Sequence, residues 1–275
     1  MDRKRNIIVL LTDFGNGAPY PAVMKGVIKN INPDAEIIDL THDISPFSTD
    51  EAMFILWREY KYFPRGAIFV CVVDPGVGSE RKILLVTTEN YFFLLPDNGI
   101  ISGILWDSTE AIKSVISVEN EKYFLIPLSN TFHGRDIFAP VAAYLSLGIK
   151  YQTFGPEVEF CKINRLRYPI VEKNNNTFIG KVMHIDKFGN IVTSFTKEKF
   201  HSLLGNKKFY ILLGKKKIIE TAKAYNEAKS NVPTLIWNSF DCLEIFIKEK
   251  NAARALNVNL GQEAILKINL GKRRM

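Results

Sequence analysis

At 275 residues and 47% hydrophobic content, the chain can hold one large domain or two ordinary ones with real cores, as a soluble globular protein does. No run of about 18 uncharged apolar residues occurs, so no segment reads as a membrane span, and three scattered cysteines offer neither a zinc spacing nor an even disulfide count. The net charge of +7 is uneven: residues 1–150 hold 14 Lys/Arg against 18 Asp/Glu, about −4, and residues 151–275 hold 22 against 11, about +11.

The basic start Met1-Asp-Arg-Lys-Arg5 runs directly into strand-like Asn6–Leu11, which is too short for a signal-peptide apolar region and reads as cytoplasmic. Strand and helix patterns then alternate, the mark of an α/β layer architecture. The strand at 6–11 leads to a helix near 20–30 and a strand at 36–40. Ser48-Thr-Asp-Glu51 has capping-box spacing and predicts a helix running to about Tyr60. Strands follow near 67–73, 83–88 and 91–95, then a helix over 99–106, a strand near 113–118 and a helix from Asp136 to about Leu147. A Pro- and Arg-containing stretch ending in Asn174-Asn-Asn176 reads as a linker over 151–176 between an N-terminal α/β domain (1–150) and a C-terminal domain (177–275). Beyond it, short strands at 179–185, 190–193, 209–213, 234–237, 243–247 and 264–268 predict a smaller, mostly antiparallel β domain, a barrel or sandwich. Cys71, Cys161 and Cys242 are expected to be buried thiols. The basic residues of the second half lie in turns (Lys207-Lys208, Lys215–Lys217) and in the tail Lys272–Arg274, without aromatic interleaving, so they read as solvated surface rather than a specific nucleic-acid site.

Four segments stand out chemically. Thr12-Asp13-Phe14-Gly15 follows the first strand, where Asp13 is either a turn former or a ligand for ribose hydroxyls. Asp74-Pro-Gly-Val-Gly-Ser-Glu-Arg81 follows the all-apolar run Ala67–Val73. Asp74 and Arg81 can pair across that glycine loop, structurally or functionally, but the loop lacks the ending of a phosphate-binding P-loop. His133, in Thr131-Phe-His-Gly-Arg-Asp136, has the richest polar company of the four histidines; it is surface decoration or a placed donor or base. Asp186-Lys-Phe-Gly-Asn190 is a hairpin turn or a seat for a flat ring and a charged amine. No His/Asp/Cys spacing predicts a metal.

These segments, with Pro96-Asp97-Asn98-Gly99 and Trp237-Asn-Ser239, together resemble the S-adenosyl-L-methionine (SAM) hydrolases that form adenosine, the SAM hydroxide adenosyltransferases, relatives of the fluorinase and chlorinase enzymes. The resemblance spans nearly the whole chain in order. It implies a catalytic set of Asp74, Arg81 and His133, and substrate binding by Asp13, Phe47, Asn98, Asp186, Phe188, Asn190, Ser239 and Ala252. Within that set Asp13 would hold the ribose and Asp186 the methionine amine. It further implies no cofactor, and a homotrimer whose sites form between subunits. The chain departs from the pattern at Ala18, where relatives carry an acid before Pro-Tyr, and at Phe240-Asp241, where halogenases carry arginine after the serine.

Halogenases place tyrosine where this chain has Asp74; a carboxylate there repels halide and can orient or deprotonate water, so the resemblance favours hydrolysis to adenosine and methionine. The alternatives are halide-dependent adenosyl transfer and a SAM- or adenosine-binding protein without turnover.

Overall fold

A computed structural model describes residues 7–269; Met1–Arg5 and Asn6, with the tail Lys272–Arg274, lie outside the described residues. The fold is α/β and divides into two units between Arg167 and Tyr168. Of the segment 151–176, residues through Arg167 fall in the first unit and the rest in the second.

The first unit runs β1 (Ile7–Thr12), α1 (Tyr20–Ile31), β2 (Glu36–Thr41), α2 (Thr49–Glu59), β3 (Ile68–Val72), β4 (Ile83–Thr88), β5 (Phe92–Pro96), α3 (Ser102–Trp106), β6 (Ile112–Ser117) and α4 (Ala139–Ser146). Its strands form one sheet in the order β2-β1-β3-β5-β4-β6. The β2, β1, β3 and β5 neighbours are parallel, while β4 runs antiparallel to both β5 and β6. All five β3 residues are buried, as expected of a central parallel strand covered on both faces. The register pairs Thr12 with Val72, so Asp13 and Asp74 leave adjacent strands together at the carboxyl edge. That is the edge at which open α/β sheets bind ligands.

The capping signal is real but split: Ser48 Oγ accepts from Glu51 N–H at 3.4 Å, while the Glu51 carboxylate reaches back to Ser45 N–H at 2.8 Å. The helix expected over 99–106 begins only at Ser102, because Asn98–Ile101 is spent on a turn in which Asn98 Oδ1 accepts from Ile100 N–H at 3.4 Å. The helix expected from Asp136 starts two residues earlier, as a π-helical turn over Gly134–Phe138 continuous with α4. His133 therefore sits as the cap of that turn, in helical conformation, rather than in a loop. Cys71 and Cys242 are buried, but Cys161 is exposed, since it falls in a surface 3-10 turn (Phe160–Lys162) and not in a strand.

The second unit holds β7 (Val171–Asn174), β8 (Thr177–Ile185), β9 (Ile191–Thr196), α5 (Lys197–Leu204), β10 (Phe209–Leu213), β11 (Lys216–Ile218), β12 (Glu220–Thr221), β13 (Thr234–Trp237), β14 (Cys242–Phe246), α6 (Ala252–Leu256) and β15 (Glu263–Ile268). They make one nearly barrel-shaped sheet, antiparallel at every pairing except β12 with β13. Long β8 changes partner along its length: 177–181 pair with β15, and 182–185 with β9. Phe178, Phe195 and Phe200 pack edge-to-face in the core, which anchors α5 to β8 and β9.

Candidate active site

Asp74 emerges from β3 into the loop that returns at Arg81. Arg81 Nε donates to both Asp74 oxygens at 2.9 Å, and Nη2 donates to Oδ2 and also contacts His133 Nδ1 at 3.0 Å. The side chains of Asp74 and Arg81 are 5% and 11% exposed, so water screens this forked pair little. The loop owes its path to Gly78, at φ +77°, where a Cβ would collide with the Asn130 carbonyl. Asn130 belongs to the segment that enters the His133 motif, so the two motifs interlock through backbone.

Guanidinium nitrogens only donate, so His133 Nδ1 must accept from Arg81 and the ring proton must reside on Nε2. Burial lowers the His133 pKa below its ordinary value, and the Arg81 charge lowers it further, against the opposing pull of Asp74 and Asp136. A neutral imidazole results, beside a carboxylate whose charge the guanidinium matches. The motif's other arginine plays a different part: Arg135 turns onto fully buried Asp136, with Nε to Oδ1 at 2.6 Å, and Asp136 Oδ2 accepts from Ser129 N–H at 2.7 Å. That carboxylate fixes the 129–131 segment ahead of His133.

Asp13 Oδ2 accepts from Phe47 N–H at 2.9 Å, and Phe47 is 70% exposed at φ +64°. Asp13, Phe47, Asp74 and His133 line one cavity of about 300 Å³. The aromatic cluster of Phe14, Tyr20 and Phe132, with centroids 5.1 to 6.0 Å apart, contributes to the same lining. Sequence reasoning missed Tyr20 and Phe132 as wall residues although each adjoins or lies inside a quoted motif. Asn98 is not among the lining residues; its Nδ2 donates to the Val73 carbonyl at 2.9 Å and braces the strand end that carries Asp74.

In the second unit Asp186 closes the β8–β9 turn on itself. Its Oδ1 accepts from the backbone N–H groups of Phe188 and Asn190 at 2.9 and 2.8 Å, and its Oδ2 from Asn190 Nδ2 at 2.9 Å. Phe188 is left 77% exposed. Asp186, Phe188 and Asn190 line a cavity of about 690 Å³ with Tyr225, Phe246 and Asn251, among others. Ala252 is fully buried as the first residue of α6, behind the Asn251 cap, and Ser239 sits exposed in the turn that joins β13 to β14; neither lines that cavity. Tyr225 had no sequence signal, lying in a polar loop. Among the described residues no group of three or more His, Cys, Asp or Glu could hold a metal ion, and no helix is long and apolar enough to cross a membrane.

Two family models match the chain: the SAM hydroxide adenosyltransferase N-terminal domain over residues 8–155 and the C-terminal domain of the same family over 180–265. The chain is 36% identical over 266 residues to the (R)-S-adenosyl-L-methionine hydrolase of Methanocaldococcus jannaschii, covering 92% of this chain and 93% of that one. A more distant similarity, 24% over 227 residues, covers 72% of the chain and 74% of the fluorinase of Actinopolyspora mzabensis. Among solved structures, an uncharacterized conserved protein from Thermotoga maritima superposes with a TM-score of 0.86 at 34% identity, covering 94% of this chain and 99% of that one.

Proposed function

The chain belongs to the SAM hydroxide adenosyltransferase family, and from that premise we propose that it acts on SAM with water, giving adenosine and L-methionine. It is an S-adenosyl-L-methionine hydrolase. The relative from Methanocaldococcus jannaschii is named for the (R) sulfonium epimer, and the same epimer is assigned to this chain.

The observation that carries the mechanism is the chain of hydrogen bonds from Asp74 through Arg81 to His133, whose two ends line the smaller cavity while Arg81 joins them from behind the lining. A sulfonium releases methionine as a neutral thioether, so the leaving group needs no general acid and the burden falls on the nucleophile. Water attacks the ribose C5′ in line with the departing sulfur: the C5′–O bond forms as the C5′–S bond breaks, and the proton the water gives up is released to solvent. Asp74 orients that water, while Arg81 and the neutral His133 stabilise the hydroxide character that develops; a prearranged, poorly screened charge set supplies the rate. Asp13 holds the ribose hydroxyls beside Phe47. The larger cavity, with Phe188 exposed for stacking and Asp186 for the methionine amine, takes the rest of the substrate. The two residue groups lie in different units of the chain, which accords with a homotrimer in which the first unit of one subunit faces the second unit of the next.

Incubation of the purified protein with each SAM epimer, in chloride-free and chloride-containing buffer, tests this reading by chromatography. The expected result with the (R) epimer is adenosine equimolar with methionine, independent of chloride, with much slower turnover of the other epimer, and a loss of about 10²- to 10³-fold in kcat for Asp74→Asn. Formation of 5′-chloroadenosine, or undiminished turnover by folded Asp74→Asn, would sink it.

A further inference from the structure

Glu244 belongs to none of the quoted motifs and is 2% exposed on β14. Two neutral donors meet its carboxylate: Tyr225 Oη donates to Oε1 at 2.9 Å and Asn238 Nδ2 to Oε2 at 2.9 Å. The Asn238 orientation is not free to flip, because its Oδ1 already accepts from the backbone N–H groups of Phe240 and Cys242 at 3.0 and 3.1 Å. Tyr225 stands edge-on to Phe246 at 4.8 Å, and both rings line the larger cavity with Asp186, Phe188 and Asn190. Burial holds the Glu244 carboxyl above its ordinary pKa, only partly offset by those two bonds.

A buried carboxyl is a costly anchor. Apolar replacements of buried ionic groups are often neutral or stabilising, so stability alone gives no reason for an acid at this position. What the acid does that an apolar side chain cannot is hold two separate polar partners at fixed distance. One is the ring at the cavity wall; the other is the turn that carries Ser239.

We propose that Glu244 is a positioning residue for substrate binding, which fixes Tyr225 as a wall of the larger cavity and ties that wall to the Asn238–Asp241 turn. The proposal rests on the reading that this cavity takes part of SAM. Glu244 touches no substrate; it acts through Tyr225.

The test is steady-state kinetics on the full chain, with Tyr225→Phe, Glu244→Gln, Glu244→Leu and the double variant Tyr225→Phe/Glu244→Leu, and Phe188→Ala as the cavity control. Tyr225→Phe keeps the ring but loses its tether, and raises KM about fivefold at nearly constant kcat, the scale of one lost ordinary hydrogen bond. Glu244→Leu raises KM at least as much. Glu244→Gln stays within about twofold of the parent, since its amide oxygen accepts from Asn238 and its NH₂ donates to the tyrosine oxygen. The double variant is no worse than Glu244→Leu alone, because both changes remove the same contact. A merely structural role would lower the melting temperature of Glu244→Leu and leave KM in place. If Phe188→Ala raises KM while Tyr225→Phe stays within twofold of the parent, the positioning role is overturned and the cavity reading survives. If Phe188→Ala leaves KM unchanged, the cavity reading fails and the positioning role falls with it. Should Glu244→Leu not fold, Tyr225→Phe alone decides, as a half-exposed tyrosine loses only its hydroxyl.

Discussion

At the scale of single residues, the proposed mechanism makes the state of His133 set the working pH. Its Nδ1 accepts from Arg81, so protonation would set two donors against each other and place a cation beside a guanidinium. Burial and Arg81 hold the imidazole pKa below the ordinary 6.5, so the ring stays neutral down through that value. The unfolded chain binds this proton at higher pH than the folded one, so the His133 contribution to stability falls as pH drops below 6.5 and is at its full value above it. The acid limb of kcat/KM is therefore expected to have its midpoint below 6.5. The imidazole resonance of His133, followed by NMR, should titrate with the same midpoint and move upward in Arg81→Met, where the repelling charge is gone and Asp74 remains. A His133 midpoint at or above 6.5 in the parent protein would contradict this. The motifs single these residues out as candidates. Their hydrogen-bond directions were not legible there, because an Asp-Arg spacing of seven cannot reveal that Arg81 also serves His133.

At the scale of elements, the glycine loop is where sequence and geometry agree in detail. Gly78 holds φ +77° against the Asn130 carbonyl, so Gly78→Ala has neither conformational nor spatial room. The variant is expected to lose about 1–3 kcal/mol of stability, to shift the loop, and to lower kcat by moving Arg81 away from His133. Gly17→Ala is the control: nothing lies within 4 Å of its Cβ position and its backbone is ordinary, so melting temperature and kcat should stay at parent values. Calorimetry and kinetics on the pair separate local strain from a general intolerance of alanine. Elements with a distinct pattern were legible: β3 by its unbroken apolar run, α2 by Ser48 and Glu51. The helices of the second unit were not. Five-residue α6 announces itself only through its Asn251 cap, whose Oδ1 accepts from Arg254 N–H at 2.7 Å. Eight-residue α5 shows a single i, i+4 apolar pair, Phe200 and Leu204. The early start at Gly134 was hidden because a glycine reads as a break, while here its lack of a side chain admits Phe132 and Met24.

At the scale of the whole molecule, the candidate residues fall into two groups that the chain keeps in separate units: Asp13, Asp74, Arg81 and His133 before Arg167, and Asp186, Phe188 and Asn190 after Tyr168. The sequence pattern changes from alternating βα segments to short strands across the stretch 151–176, within which the two units meet, and the uneven charge follows the same change. A homotrimer with interfacial sites has a consequence that a site built within one chain lacks. An Asp74→Asn subunit and an Asp186→Asn subunit are each inactive as pure oligomers, because every site holds one damaged half. Mixed after dissociation and reassociation, some interfaces pair the intact first unit of one subunit with the intact second unit of the other, and those sites turn over. In fully random mixing of equal amounts, about a quarter of the interfaces pair two intact halves, so activity should recover to roughly that fraction of the parent value, on the closed-ring logic of cyclic oligomers. Native mass spectrometry of the mixture, with one variant carrying a mass tag, reports whether subunits have exchanged. Exchange without recovered activity would place each complete site within a single chain and remove the interfacial reading, leaving the hydrolase activity itself untouched.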